Sequence, residues 1–482
     1  MEDFNLELVA RKSVKSIFAL TSRTFLIQVL GVIASFVLTV YLSPSDFGVF
    51  FIVSSFVVFL NYFSDIGLAA SLIQKKTEPT LNEYRNAFTV QQMLVLALII
   101  PCFLLSPEIA KYFKVESQGI YLLYAFLISF LLSSLKTIPT VMLERKLDFH
   151  KLVIPQIAEN LVYNLVLIFM AIGGYGVTSF TVAIVLRSIV GLVITYYISP
   201  WKIGFAYHKE TLKTLLRFGI PFQINSLLAL IKDDLINVYI GKTLPLQEVG
   251  YIGFAQKWAF LPLRLVMDNV IKIMFPSLSR LQHDKNAQIT VIEKSLFAIS
   301  FFIMPTAVGF IMLSPYFIDL IPSYQKWAPA YISIVFFALN TVVGSLSTPI
   351  TNFLYATGKA KITLYFMSAW TILTWILTPA LIIKFGYNGA SVASFLVAFS
   401  TLSIYFVARR YVSFSFMRPI IKPLITSLIM FVFIYLTKGI ITSLPLLVLD
   451  AFLAGLVYLT IAFILSKKDI LRILSFIKSN ES

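Results

Sequence analysis

The chain is predicted to be an all-α polytopic membrane protein of about fourteen transmembrane helices, built as two pseudo-symmetric six-helix lobes with two helices appended. Three observations predict this. Apolar residues make up 58% of the 482 residues, charged residues only 13%, and the mean hydropathy is +0.86, far from a soluble domain. Apolar runs long enough to cross a bilayer, roughly 20 residues each, recur along the whole length. A pattern near the amino terminus also returns about 200 residues later, as internal repeats in transporters do.

In chain order the runs fall at 17–41, 47–73, 86–105, 118–142, 150–172, 175–199, 215–240 and 248–275, then 291–313, 328–355, 361–383, 388–408, 419–437 and 444–465. Several hold a proline (Pro101, Pro139, Pro155, Pro221, Pro262, Pro305, Pro349, Pro379). In a bundle the freed carbonyls find partners on neighbouring helices, so these positions predict kinks. Every second loop is basic: twenty-six of the 39 lysines and arginines fall on one side and six on the other. By the positive-inside rule both termini are cytoplasmic. The first run is too long for a cleavable signal peptide and lacks a small-residue cleavage site.

The repeat is carried by two stretches. At 41–50 the sequence reads YLSPSDFGVF, a turn too short for anything but an immediate return into the membrane; at 238–258 it reads VYIGKTLPLQEVGYIGFAQKW. There Glu248, Val249, Gly250 and Tyr251 echo Asp46, Phe47, Gly48 and Val49. Lys146 and Gly176 are 30 positions apart, as are Lys359 and Gly389, and each pair brackets an apolar run ending in a Gly-rich external turn. Helices one to six thus map onto seven to twelve in the same order, a parallel repeat about the membrane normal. The expected divisions are a cytoplasmic tail (1–16), an N-lobe (17–199), a basic cytoplasmic linker (200–214), a C-lobe (215–411), helices thirteen and fourteen (412–465) and a cytoplasmic tail (466–482).

Composition excludes several classes. The net charge of +16 lies between apolar spans and not on one soluble face, which rules against nucleic-acid binding. A single cysteine, Cys102, leaves no disulfide framework and no thiolate metal cluster. The longest external loops, 106–117 and 314–327, lack a paired-carboxylate constellation, and the three histidines (His150, His208, His283) lie in or beside cytoplasmic loops, so no enzyme site is expected.

The turn at 41–50, the following FSDIGLAASLIQKK (63–76) and the segment PITNFLYATGKAK (349–361) resemble the Wzx-type oligosaccharide flippases, the polysaccharide-transport branch of the multidrug/oligosaccharidyl-lipid/polysaccharide superfamily. The likeness covers residues 10 to 465, and more distant relatives are the lipid II flippases and multidrug extruders. It implies a bacterial inner-membrane protein moving polyprenyl-diphosphate-linked oligosaccharide repeat units for surface polysaccharides such as lipopolysaccharide or exopolysaccharide. Alternating access of a central cavity between the lobes would drive the movement, with a polysaccharide polymerase and co-polymerase as partners. A MATE-like cation-coupled multidrug exporter is the alternative, since it shares the fold.

Charges inside the spans test this reading. Seven are cations (Arg23, Lys136, Arg187, Lys232, Lys257, Arg264, Lys272) and five are anions (Asp65, Glu159, Asp233, Asp234, Asp268). At roughly 2.5–3.5 kcal/mol each at a helix centre, twelve lipid-facing charges would cost on the order of 30 kcal/mol, above the usual net stability of about 5–15 kcal/mol. They must therefore face each other or a wet path. The excess of cations favours an anionic cargo over the cationic compounds an exporter handles.

Lys257, Arg264, Asp268 and Lys272 share one face of helix eight. The stripe reads either as a salt-bridged seam with Lys272 snorkelling or as a lining for a diphosphate, with Arg23 as its counterpart from helix one and arginine forks meeting phosphate oxygens. Arg187 reads equally as a pair for Glu159. Gln156, Asn160 and Tyr163 on helix five and Asn340 on helix ten, in line with Gly344, Ser347 and Thr351, are candidate sugar contacts or packing residues. Asp65 reads as a structural hydrogen-bond hub. Asp233 or Asp234 is a candidate for coupling to Na⁺ or H⁺ with Thr371 and Thr374, the other acid neutralising Lys232. Helix eleven, however, lacks the acidic residue that the lipid II flippases would lead one to expect. No other cofactor is expected.

Overall fold

The chain is helical throughout its described elements. The computed structural model describes residues 27–479 apart from 28, 76 and 147, and the side chains among them outside 149, 214, 217–226, 262–265, 268–269, 272–273, 275–276 and 468–479. Eleven helices there are long and apolar enough to cross a membrane. The other three predicted spans, 17–41, 215–240 and 248–275, fall where the chain is only partly described or where a helix is interrupted, so the total is consistent with fourteen. Packing divides the chain into two compact units, 1–250 and 251–482.

The first unit begins with α1 (Val29–Tyr41) and α2 (Pro44–Asn61). Sequence chemistry explains the turn between them. Ser43 and Asp46 form a reciprocal cap: the Ser43 N–H donates to Asp46 Oδ2 (2.8 Å), and the Asp46 N–H donates to Ser43 Oγ (3.2 Å). Pro44 occupies the first helical turn, where its missing N–H costs nothing. The SPSD motif is thus a helix start signal. The predicted second span breaks after Asn61, turns left-handed at Ile66 and Gly67, and resumes as α3 (Leu68–Gln74). Asp65 accepts from the Ala69 N–H (3.0 Å) and caps the new helix, the hub role expected of it.

Next come α4 (Leu81–Leu104), α5 (Ser106–Phe113), α6 (Ser117–Leu135), α7 (Thr137–Arg145), α8 (Phe149–Ile172) and α9 (Thr178–Ile198). The predicted span 118–142 is two helices jointed at Lys136, which places Pro139 in the first turn of α7, where it is tolerated. Arg145, counted by sequence only as a loop charge, closes the end of α3. Its Nη1 donates to the carbonyls of Leu72 (2.6 Å), Ile73 (2.9 Å) and Lys75 (2.9 Å), and its Nη2 to that of Thr77 (3.1 Å). Arg145→Ala is expected to lower stability by about 2 kcal/mol, read as an earlier unfolding midpoint of the purified protein, whereas Lys146→Ala leaves it within about 0.5 kcal/mol.

The linker is pinned to this unit. Trp201 meets Phe88 edge-on (5.1 Å), the Ala206 N–H donates to Thr89 Oγ1 (3.0 Å), and Asn86 donates to the His208 carbonyl (2.9 Å). From Lys209 the chain is already helical, as α10 (Lys209–Leu230), followed by a π-turn (Ile231–Leu235) and α11 (Ile236–Thr243). Packing of α10 on α3 and of α11 on α2 joins the seventh span to the first six.

The start of α12 (Leu246–Ala259) completes the unit. Here the two repeat motifs touch. A Cβ on Gly48 would strike the Leu246 carbonyl, and a Cβ on Gly250 would strike the Pro44 carbonyl. Each glycine lies four residues into its helix and faces the first residue of the other helix, so the two helix starts cross backbone to backbone.

The second unit holds the rest of α12, then α13 (Leu261–Arg280), α14 (Lys285–Leu320), a 3₁₀ segment (Pro322–Ala330), α15 (Tyr331–Ala356), α16 (Ala360–Phe385), α17 (Asn388–Thr401), α18 (Ile404–Ala408), α19 (Met417–Thr437) and α20 (Leu444–Ser479). Its core runs from Met274 and Leu278 through Ile350, Phe353 and Leu354 to Ile404. A satellite cluster of Met430, Ile434, Ala454, Tyr458 and Ala462 docks the last two helices on α14. Trp327 is fully buried, stacked on Phe254 (4.3 Å between centroids, 12° between planes). Trp327→Ala is expected to cost about 3–5 kcal/mol, measured as loss of thermal stability in detergent.

Candidate functional site

Two of the described intramembrane cations of the first unit, Lys136 and Arg187, converge on one carboxylate, that of Glu159. Glu159 lies on α8, Arg187 is the tenth residue of the 21 in α9, and Lys136 is the joint between α6 and α7. Lys136 Nζ approaches Glu159 Oε1 at 2.5 Å, and Arg187 Nε lies 3.7 Å from Glu159 Oε2. The Arg187 guanidinium stands over the Tyr163 ring, 5.5 Å from its centroid. The side chains of Lys136 and Glu159 are 14% and 12% exposed, that of Arg187 42%. The tight pair is enclosed; the loose arm is open.

Local sequence builds this arrangement. Glu159 and Tyr163 are four apart on α8 and share a face. Gly191 on α9 makes room for the carboxylate: any Cβ there would meet the Glu159 side chain. Gly191→Ala is expected to push Glu159 off Lys136, read as a lower unfolding midpoint of the purified protein. One acid facing two bases leaves a net positive charge midway along α9, at about 14 Å from its start. A lone cation at bilayer centre costs about 2.5–3.5 kcal/mol, so the open side of Arg187 requires water or an anion.

The sequence-derived pairing of Arg187 with Glu159 is present but is the weaker contact. Lys136 is the principal partner, and Gly191 was not expected. No signal in one sequence marks a glycine as the seat of a carboxylate; a steric test on three packed helices is needed.

The Lys232-Asp233-Asp234 run forms the π-turn, a wider helical turn of the kind that recurs at functional positions. Lys232 pairs with Asp233, whose side chain is 60% exposed, and the Asn237 amide donates to the Asp233 carbonyl (2.8 Å). Asp234 is half-buried. Thr371 and Thr374, their expected co-ligands, are buried in the second unit, where their hydroxyls donate to the carbonyls of Met367 and Trp370. Among the described residues no group of three or more His, Cys, Asp or Glu could hold a metal ion.

Of the other expected contacts, Asn160 donates to the Gln156 carbonyl (2.8 Å), a bond along its own helix. Asn340 is half-buried on α15, where Ser347 and Thr351 also bond back to their own helix. Lys257 is exposed on α12, and the single helix expected over 248–275 breaks at Phe260, so Lys257 stands on a different helix from Arg264, Asp268 and Lys272. Arg264, Asp268 and Lys272 lie on α13 with side chains outside the described set, and Arg23 lies outside the described residues altogether. Asp450, missing from the five intramembrane acids read from the sequence, is buried in α20 with its Oδ2 unpartnered among the described residues.

The helices and their polar interior define a multi-pass membrane protein with the fold of known flippases and exporters. A lipid II flippase, MurJ in an inward closed conformation, aligns over 93% of this chain and 99% of its own with a TM-score of 0.78 at 18% identity. An inward-facing multidrug MATE transporter of the MOP superfamily aligns over 83% of this chain and 98% of its own with a TM-score of 0.64 at 14% identity. Residues 37–332 match the model of a family described as polysaccharide biosynthesis protein, and the chain belongs to that family. It is 25% identical, over 96% of both chains, to an uncharacterized membrane protein in the cps region of Klebsiella pneumoniae. It is also 21% identical to the succinoglycan biosynthesis transport protein ExoT of Rhizobium meliloti, over 65% of this chain and 62% of ExoT. Identity to the lipopolysaccharide biosynthesis protein WzxC of Escherichia coli is likewise 21%, over 76% of this chain and 74% of WzxC.

Proposed function

We propose that the protein is a flippase that carries polyprenyl-diphosphate-linked oligosaccharide repeat units across the bacterial inner membrane for surface polysaccharide synthesis. The observation that carries this reading is a polysaccharide-biosynthesis family match joined to a lipid-flippase fold along nearly the whole chain. Supporting it is an intramembrane cluster with one cation in excess, the sign an anionic cargo needs. In this reading both termini are cytoplasmic, as the basic loops suggest, and transport proceeds by alternating access. Arg23, Lys257, Arg264 and Lys272 take the diphosphate; Gln156, Asn160, Tyr163 and Asn340 meet sugars; Asp233 or Asp234 couples transport to Na⁺ or H⁺. Polymerase and co-polymerase receive the product.

The test is a deletion of the gene in its native bacterium, followed by extraction of lipid-linked sugars. The expected result is a complete repeat unit accumulating on the cytoplasmic leaflet. No accumulation, with new sensitivity to cationic drugs, would replace the flippase with an exporter. Within the reading, Arg264→Ala protein that inserts normally is expected to lose transport.

A further inference from the structure

The Lys136–Glu159–Arg187 cluster holds its two cations unequally. Lys136 is in close contact with Glu159 (2.5 Å), while Arg187 reaches it only through Nε at 3.7 Å. Within the described residues Arg187 makes no hydrogen bond; its other contact is the Tyr163 ring. The terminal amines of its fork are therefore available on the exposed side, and a fork presents two parallel donors that match two phosphate oxygens. Its mid-span position also limits the ligand. Phospholipid headgroups lie at the membrane surfaces, about 15 Å from the centre of a hydrocarbon layer some 30 Å thick, whereas a cargo headgroup in transit passes that depth.

We propose that Glu159 is a resident counter-anion for Arg187, which the cargo's diphosphate displaces, making Arg187 a phosphate station in the first unit additional to the proposed contacts of Lys257, Arg264 and Lys272. The proposal rests on the flippase reading. Between cargoes the carboxylate neutralises both cations in part. When a diphosphate arrives, Arg187 turns to it and Glu159 stays with Lys136, so neither the acid nor the lysine is left uncompensated. Tyr163 holds the guanidinium plane during the exchange. Glu159 is thus a competitor of the ligand, and this gives the two acidic and basic substitutions opposite signs.

The experiment uses the full chain in nanodiscs of zwitterionic lipid, with inorganic pyrophosphate and a polyprenyl diphosphate as probes. Arg187→Gln is expected to weaken both by about tenfold or more, with Arg187→Lys between it and wild type. Glu159→Gln is expected to tighten both several-fold, and pyrophosphate is expected to restore the thermal stability that this variant loses. Unchanged binding in Arg187→Gln, or weaker binding in Glu159→Gln, would reduce the cluster to a seam and overturn the proposal. Pyrophosphate binding that depends on Arg187 in a protein indifferent to polyprenyl diphosphate would keep the anion station and remove the flippase reading. Displacement of pyrophosphate by phosphatidylglycerol at similar concentrations would overturn the assignment to cargo.

Discussion

Gly48→Ala is expected to abolish transport and to destabilise the protein by about 3 kcal/mol or more. The added carbon meets the Leu246 carbonyl and comes within 3.2 Å of the Gly250 nitrogen. Both are backbone atoms, so no rotamer change relieves the overlap and the helix starts must separate. Gly250→Ala is expected to behave alike, because its Cβ meets the Pro44 carbonyl and Cα. Insertion, thermal stability and surface polysaccharide should be measured for both. As a control, Gly439→Ala has no atom within 4 Å of the new carbon and should act as wild type. Full activity in Gly48→Ala would show that the crossing is not held during the transport cycle.

Glu159→Ala is expected to have the second large effect, a loss of about 3–5 kcal/mol, because it leaves Lys136 and Arg187 without their shared anion inside the membrane. Removal of a cation is expected to cost less for Arg187 than for Lys136, since the former is the more exposed and the more distant partner. The ordering Glu159→Ala, then Lys136→Ala, then Arg187→Ala, read from unfolding midpoints in one detergent, checks the geometry. Midpoints equal to wild type in all three would mean that the ion pairs hold nothing. The double variant Glu159→Ala with Lys136→Ala should recover part of the loss, since it removes one of the two stranded charges.

The membrane class, the spans and the family likeness were legible because they depend on the order of apolar and basic residues, which is local. Asp65 was legible as a hub because Asn61 and Ser54 share its face in an apolar run, whereas its actual partner, the Ala69 N–H at the start of α3, follows from the break in the helix. Breaks inside spans were less legible. Lys136 and the π-turn at Lys232 interrupt helices whose hydropathy is continuous, and hydropathy records burial and not hydrogen-bond register. Asp233 and Asp234 were read with α-helical spacing, yet the chain places them in a wider turn. Asp450 is plain in the 444–465 run; what residue order does not show is that its carboxylate is buried, with Oδ2 unpartnered among the described residues.

The sequence by itself determined the class, the likeness, the positions of eleven spans and the sign of the charge written into them, all properties of residue order and composition. It also contained the echo between Gly48 and Gly250. Only the tertiary structure decided what that echo does, because a backbone crossing needs two segments about 200 positions apart to meet. The same holds for the charges. Which cation Glu159 holds, which it barely reaches, and which glycine gives it room depend on three helices packed at one depth, and a Coulomb interaction falls with distances that residue order does not specify.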